Sequence, residues 1–137
     1  MILLDANVFM YAAGADHPHK APSLALLERV AGEALPAAVD AEVLQEILHR
    51  YRALGRWQQG RRVYDLARRI VPEVLPVTAE LLDAGRALLD AHPALLARDA
   101  LHAAACKIHQ AEALCSYDRD FDALPWLRRI EPRELLD

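Results

Sequence analysis

Cysteine is scarce in this 137-residue chain: Cys106 and Cys115 are the two present, and no Cys-x-x-Cys occurs. The pair reads as buried free thiols of a reducing compartment rather than a disulfide framework, and a thiolate zinc site is disfavoured. Glycine is also sparse, five in all, with no glycine-rich loop to cradle a nucleotide phosphate. No apolar run approaches the roughly 20 residues that span a bilayer. The N-terminus lacks a basic leader region, and Asp5 interrupts its apolar stretch. These absences predict a cytoplasmic protein with no membrane partner. Lysine is nearly missing: of 16 basic residues only Lys20 and Lys107 are lysine, and the other fourteen are arginine. A net charge of −4 speaks against general nucleic-acid binding, yet seven arginines fall between Arg50 and Arg69 beside one acid, Asp65. Arginine forks match phosphate geometry, so Arg50, Arg52, Arg56, Arg61 and Arg62 are candidate RNA contacts; a solvated helix face is the plainer alternative.

What is present suits one folded domain over residues 1–137, with 54 % apolar residues and a single core. The chain is organised around Met1-Ile-Leu-Leu-Asp-Ala-Asn7. Ile2, Leu3 and Leu4 run without alternation, as in a strand covered on both faces. Asp5 ends the run. A carboxylate at the carboxyl end of a central strand faces the ligand crevice of an open α/β sheet. Asp is also a favoured N-cap for the helix read over 6–13, and this stretch alone leaves both roles open.

Strands and helices then alternate. A loop holds His17 and His19, read as ordinary surface histidines, and helical spacing predicts a helix over 23–34. A strand over 35–39 leads to Asp40 as N-cap of a long helix with Val43, Leu44, Ile47, Leu48 and Tyr51 inward. Glu46 beside that stripe is the better candidate for a carboxylate in a cleft, Glu42 for a solvated first-turn residue. A helix over 56–70 carries most of the arginines. An interrupted edge strand is expected over 71–77. Thr78 caps a helix to Asp90 with Leu81, Leu82, Gly85, Leu88 and Leu89 on its core side. An alanine-rich helix begins near Asp99, a residue that also reads as its N-cap. Asp99 and His102 share a face at a spacing compatible with metal ligation, but His102 reads more simply as a packed or exposed histidine. A strand over 113–117 precedes Asp118, Asp120 and Asp122, an anion cluster that needs a cation or arginine nearby. An edge strand over 127–130 and a terminal turn follow.

An alternating order of this kind implies an α/β fold, a three-layer α/β/α sandwich on a mainly parallel sheet. The motifs Leu4-Asp-Ala-Asn-Val8, Val43-Leu-Gln-Glu-Ile47, Arg98-Asp-Ala-Leu-His-Ala-Ala104 and Ser116-Tyr-Asp-Arg-Asp-Phe121 stand in that order. Together they resemble the PIN-domain ribonucleases, in particular VapC-like toxins of bacterial toxin–antitoxin pairs. The resemblance covers essentially the whole chain. It implies an acidic cluster of Asp5, Glu46, Asp99 and Asp118. Asn7 and Ser116 would support it, with Asp120 or Asp122 as outer members. It also implies a homodimer and a small antitoxin partner. Two positions depart from the pattern, Asp40 for a serine or threonine and Ser116 for a threonine, and neither removes a carboxylate.

Four clustered carboxylates need a counter-charge, and hard oxygen ligands select Mg²⁺ or Mn²⁺ over zinc. The expected activity is metal-dependent endonucleolytic hydrolysis of RNA, with Asp5, Asp99 and Asp118 as the main metal ligands, directly or through water, and Glu46 holding a second metal or orienting the attacking water. Two rivals are a metal-dependent phosphatase or phosphotransferase and a non-catalytic RNA-binding module. Asn7 stands where nucleophilic aspartate chemistry usually places a second Asp, which argues against the first. The intact acid set argues against the second.

Overall fold

The computed structural model describes residues 1–136; the domain reading extends one residue further, to Asp137, which lies outside the described residues. Its centre is a five-stranded parallel sheet in the order β3-β2-β1-β4-β5. The strands are short: β1 (Ile2–Leu4), β2 (Ala37–Asp40), β3 (Val74–Leu75), β4 (Ala113–Cys115) and β5 (Arg129–Ile130). β1 lies between β2 and β4, with Leu3 opposite Ala38 on one side and Leu114 on the other. Every residue of β1 and β4 is buried, as their unbroken apolar runs require.

Helices cover both faces, giving the α/β/α sandwich that the alternation predicts. On one face α1 (Ala6–Ala13), α2 (Lys20–Ala31), α3 (Ala41–Ala53) and α4 (Trp57–Ile70) share a core with Ile2, Leu4, Val39 and Cys115. On the other, α5 (Ala79–Ala91) and α6 (Ala97–Ile108) pack on Leu3, Ala38 and Leu114. Ala100, Ala103, Ala104 and Ala105 are all buried, so the alanine-rich surface of α6 does let it lie close. Gly60 of α4 meets α3 closely enough that a Cβ there would lie 2.5 Å from Tyr51 Cβ. Gly55, at φ +70°, makes the turn between those helices.

Several boundaries differ from the sequence reading. α2 begins at Lys20, because Pro22 falls in the first turn, where its missing N–H is no loss. β3 shrinks to two residues between Pro72 and Pro76. Leu82 is 51 % exposed and does not join the core side of α5. Cys106 and Cys115 are free and buried, and burial pushes both thiols up to about 12. No helix among the described residues is long and apolar enough to cross a membrane.

Candidate active site

Consecutive connections leave β1 and β4 in opposite directions, so their carboxyl ends form the crevice where open α/β sheets hold ligands. Asp5 follows β1, and Ser116 to Asp118 follow β4. Side-chain alternation places Asp5, Asp40 and Ser116 on the same sheet face as Leu3, Ala38 and Leu114, toward α6.

Asp5 caps α1 with one oxygen and turns the other toward the end of β4. Its Oδ1 accepts from Ala6 N at 2.7 Å as the cap of α1, while its Oδ2 accepts from Ser116 Oγ at 2.6 Å and Asn7 Nδ2 at 3.3 Å. Ser116 Oγ in turn accepts from Asn7 Nδ2 at 3.1 Å and Asp118 N at 3.0 Å. Asn7 and Ser116 thus tie the two strand ends together around one carboxylate. Burial raises the Asp5 pKa, against the lowering pull of His102 and the Ser116 hydrogen bond.

His102 occupies the middle of this arrangement, where sequence reasoning made it a simple packed or exposed residue. It is 1 % exposed. Its Nδ1 donates to Asp40 Oδ2 at 2.6 Å, and Asp40 Oδ1 accepts from Val43 N as the cap of α3. Its Nε2 has no hydrogen-bond partner and lies 3.7 Å from Asp5 Oδ1 and 3.9 Å from Glu46 Oε1. Burial alone would lower the His102 pKa, but Asp40, Glu46 and Asp5 together hold it well above the ordinary value. The ring is therefore an imidazolium, a fixed positive charge among carboxylates.

Glu46 does point into the cleft, and Arg98 Nε lies 3.5 Å from its Oε1. Glu42 is half-buried rather than solvated, and burial raises its pKa. Asp99 does not cap α6; Leu96 holds that position, and Asp99 sits buried in the first turn. Burial, then the nearby Asp118 and Asp5 charges, push its carboxyl up to about 6. Asp118 Oδ1 accepts from Asp120 N at 2.9 Å. Asp120 groups with Asp99 and Asp118, whereas Asp122 turns away to Arg129, at 2.9 Å.

Among the described residues, titratable side chains gather in two sets, Asp5 with Glu46 and His102, and Asp99 with Asp118 and Asp120. Within each, ligand atoms lie within 4.8 Å of one another. The carboxylate oxygens of these sets fit a hard divalent cation, and Asp99 resists ionising without a counter-charge; the protonated His102 offers no lone pair and stands beside them as a charge partner.

Of the candidate RNA-binding arginines, Arg50 lines the open groove beside Asn7 and Asp118. Arg56 and Arg62 line a different depression with Gln59, and Arg52 stacks on Trp57 at 4.3 Å. The groove at Arg50 also holds Tyr11, His17 and Tyr117, which no spacing in the sequence brings together. His17 is an exposed surface histidine as read and His19 is half-buried, and both join an aromatic cluster with the two tyrosines.

Comparison with known proteins gives a consistent picture. The family described as PIN domain matches residues 2–127. The chain is 42 % identical over 130 residues to ribonuclease VapC13 of Mycobacterium tuberculosis, covering 95 % of this chain and 99 % of that protein. It is 36 % identical over 118 residues to ribonuclease VapC23 of the same species, covering 86 % and 93 %. Among solved structures, VapBC2 of Rickettsia felis, bound to a promoter DNA fragment, superposes with a TM-score of 0.73 at 21 % identity, covering 96 % and 98 %. M. tuberculosis VapC20, a sarcin–ricin loop cleaving toxin, superposes at 0.72 with 18 % identity, covering 90 % and 94 %. The two structural likenesses speak for the fold.

Proposed function

This chain belongs to the PIN-domain family, and from that premise we propose that it is a divalent-metal-dependent endoribonuclease, the toxin of a toxin–antitoxin pair. The observation that carries the reading is the convergence of Asp5, Glu46, Asp99 and Asp118 from four separate elements around the β1–β4 crevice. Asp5, Asp99 and Asp118 would hold the cation, Mg²⁺ or Mn²⁺ by the predominance of carboxylate oxygens. When bound, such an ion polarises a phosphodiester and lowers the pKa of a water molecule that attacks it.

The chain's own residues do the rest. Ser116 and Asn7 fix the Asp5 carboxylate at Oδ2. Asp40 holds His102 so that its charge offsets Asp5 and Glu46. Glu46, steadied by Arg98, is placed to orient the attacking water and take its proton. Arg50, across the groove, suits a backbone phosphate of the RNA. The reading includes a small antitoxin, supported by the two-protein toxin–antitoxin complexes among the structural neighbours. It also includes a second copy of the chain as dimer partner and residence in the cytoplasm.

The test is cleavage of a mixed structured RNA pool by the antitoxin-free protein, with EDTA, Mg²⁺ and Mn²⁺ in parallel. Cleavage should require the metal and fall by at least two orders of magnitude in Asp5→Asn and Asp99→Asn, both still folded by circular dichroism. Full metal-dependent activity in either variant would overturn the site assignment. Absence of any cleavage across RNAs that include transfer and ribosomal species would overturn the ribonuclease reading.

A further inference from the structure

Tyr11 is the hub of four rings beside the carboxylates. Its centroid lies 4.7 Å from His17, 4.9 Å from His19 and 5.1 Å from Tyr117. His19 stacks on Tyr117 at 3.8 Å, with the planes 13° apart. The arrangement is held from behind. Tyr117 Oη donates to the His19 carbonyl at 3.1 Å and lies 2.6 Å from Ser23 Oγ. His17 Nδ1 accepts from His19 N at 3.0 Å. Lys20 Nζ donates to the Gly14 carbonyl at 2.7 Å, closing the loop that carries both histidines.

Core packing accounts for only part of this. Tyr117 leans on the α1–α4 core and is half-buried. Tyr11 is half-buried and His17 exposed, and neither belongs to a core cluster. Their free faces open on a groove of about 560 Å³, which Asn7, Asp118 and Arg50 also line. That size lies within the roughly 300–1,000 Å³ typical of small-molecule sites. Along one groove there is thus an acidic end, an aromatic wall and an arginine. Burial and the neighbouring His17 also hold the His19 pKa below the usual imidazole value.

We propose that Tyr11, His17 and Tyr117, backed by the His19 ring stacked on Tyr117, form a stacking platform for an unpaired nucleobase next to the phosphodiester presented to Asp118, with Arg50 taking an adjoining phosphate. The proposal rests on the ribonuclease reading above and adds to it where the substrate's bases go. Aromatic faces accept any base, so the platform selects single-stranded or flipped-out nucleotides rather than a sequence. A duplex keeps its bases stacked internally and cannot offer one to the wall without distortion.

The test uses a short single-stranded oligoribonucleotide carrying one 2-aminopurine, whose fluorescence is quenched on stacking, and the full-length protein in EDTA so that nothing is cleaved. Wild-type protein should quench the probe. His17→Ala and the double variant Tyr11→Leu, His17→Ala should bind roughly tenfold or more weakly, the scale of losing one base–aromatic stack. His17→Phe should restore binding. Replacing every base of the strand by an abasic site and following binding by anisotropy should erase the difference between wild type and variants. Thermal unfolding midpoints confirm that the variants are folded; His17→Ala, in an exposed loop, stands alone if the double variant fails to fold. Equal affinity and equal quenching in wild type and His17→Ala would overturn the proposal, as would a variant effect that persists on the abasic strand. Quenching without any metal-dependent cleavage would instead leave the platform standing and remove the ribonuclease reading.

Discussion

Replacing His102 by alanine takes away the charge partner of Asp40, a carboxylate with no solvent exposure. A buried ion pair that loses one member destabilises a fold by about 3–5 kcal/mol, since the remaining charge is left uncompensated. His102→Ala should therefore be among the most damaging substitutions to stability. Asp40→Asn, which keeps the shape and leaves Asp5 and Glu46 near the ring, should be milder and should lower the His102 pKa. Urea denaturation and ring-proton NMR titration read the two effects; a His102→Ala protein as stable as wild type would contradict the charge assignment. The same residues mark the limit of what linear sequence conveys. Asp40 was legible as a cap because its partner, Val43 N, is three residues away. Its bond to His102 spans 62 positions and leaves no local trace. For Asp5 the sequence posed capping against site chemistry as alternatives, although a carboxylate has two oxygens and this one uses each for a different purpose. Asp120 and Asp122 were indistinguishable in the chain. Only Arg129, brought alongside by β5, draws Asp122 aside.

Among the elements, α3 and α4 cross so closely at Gly60 that helix propensity and packing make opposite demands. Alanine is favoured over glycine in a helix by about 1 kcal/mol. Here its Cβ would fall 2.5 Å from Tyr51 Cβ, at the rigid root of that side chain. Gly60→Ala should lose stability by about 1–3 kcal/mol through overpacking. Gly85→Ala in α5 is the control: its Cβ would lie 3.3 Å from Leu101 Cδ2, the movable tip of a leucine, and stability should change little. Chemical denaturation of both variants checks the contrast, and a stabilised Gly60→Ala would refute the close crossing. The elements themselves were well marked, because periodicity survives in α1, α3, α4 and α5 and because β1 is an unbroken apolar run. Strand ends were not. β3 and β5 pair over two residues each, too few to show any periodicity, and their extent depends on how far the neighbouring strand accompanies them.

For the whole molecule, the charges in the crevice set how stability varies with pH. Asp99 titrates at about 6 when folded, against 3.8 ordinarily, so between those values the folded state holds a proton that the unfolded state releases. Its contribution is present below 3.8 and is lost as pH rises toward 6. Asp5, also raised, acts in the same direction. His102 is raised well above 6.5, so its contribution is present below 6.5 and fades as pH climbs through the folded value. In EDTA the melting temperature should accordingly fall from pH 5 to pH 8.5. Saturating Mn²⁺ should raise it most at the alkaline end, where the carboxylates are ionised and available. Differential scanning fluorimetry across that range is sufficient, and a melting temperature that climbs with pH in EDTA would refute the charge balance described.

The position of β4 has a consequence in time as well as in space. It pairs with β1, so Asp5 meets its partner Ser116 across 111 positions of chain. Until those two segments meet during folding, β1 lacks a neighbour on one side and the crevice has no second wall. The full set of crevice carboxylates therefore comes together only when β4 docks on β1, so the site is completed by a contact of high sequence separation rather than by any local segment.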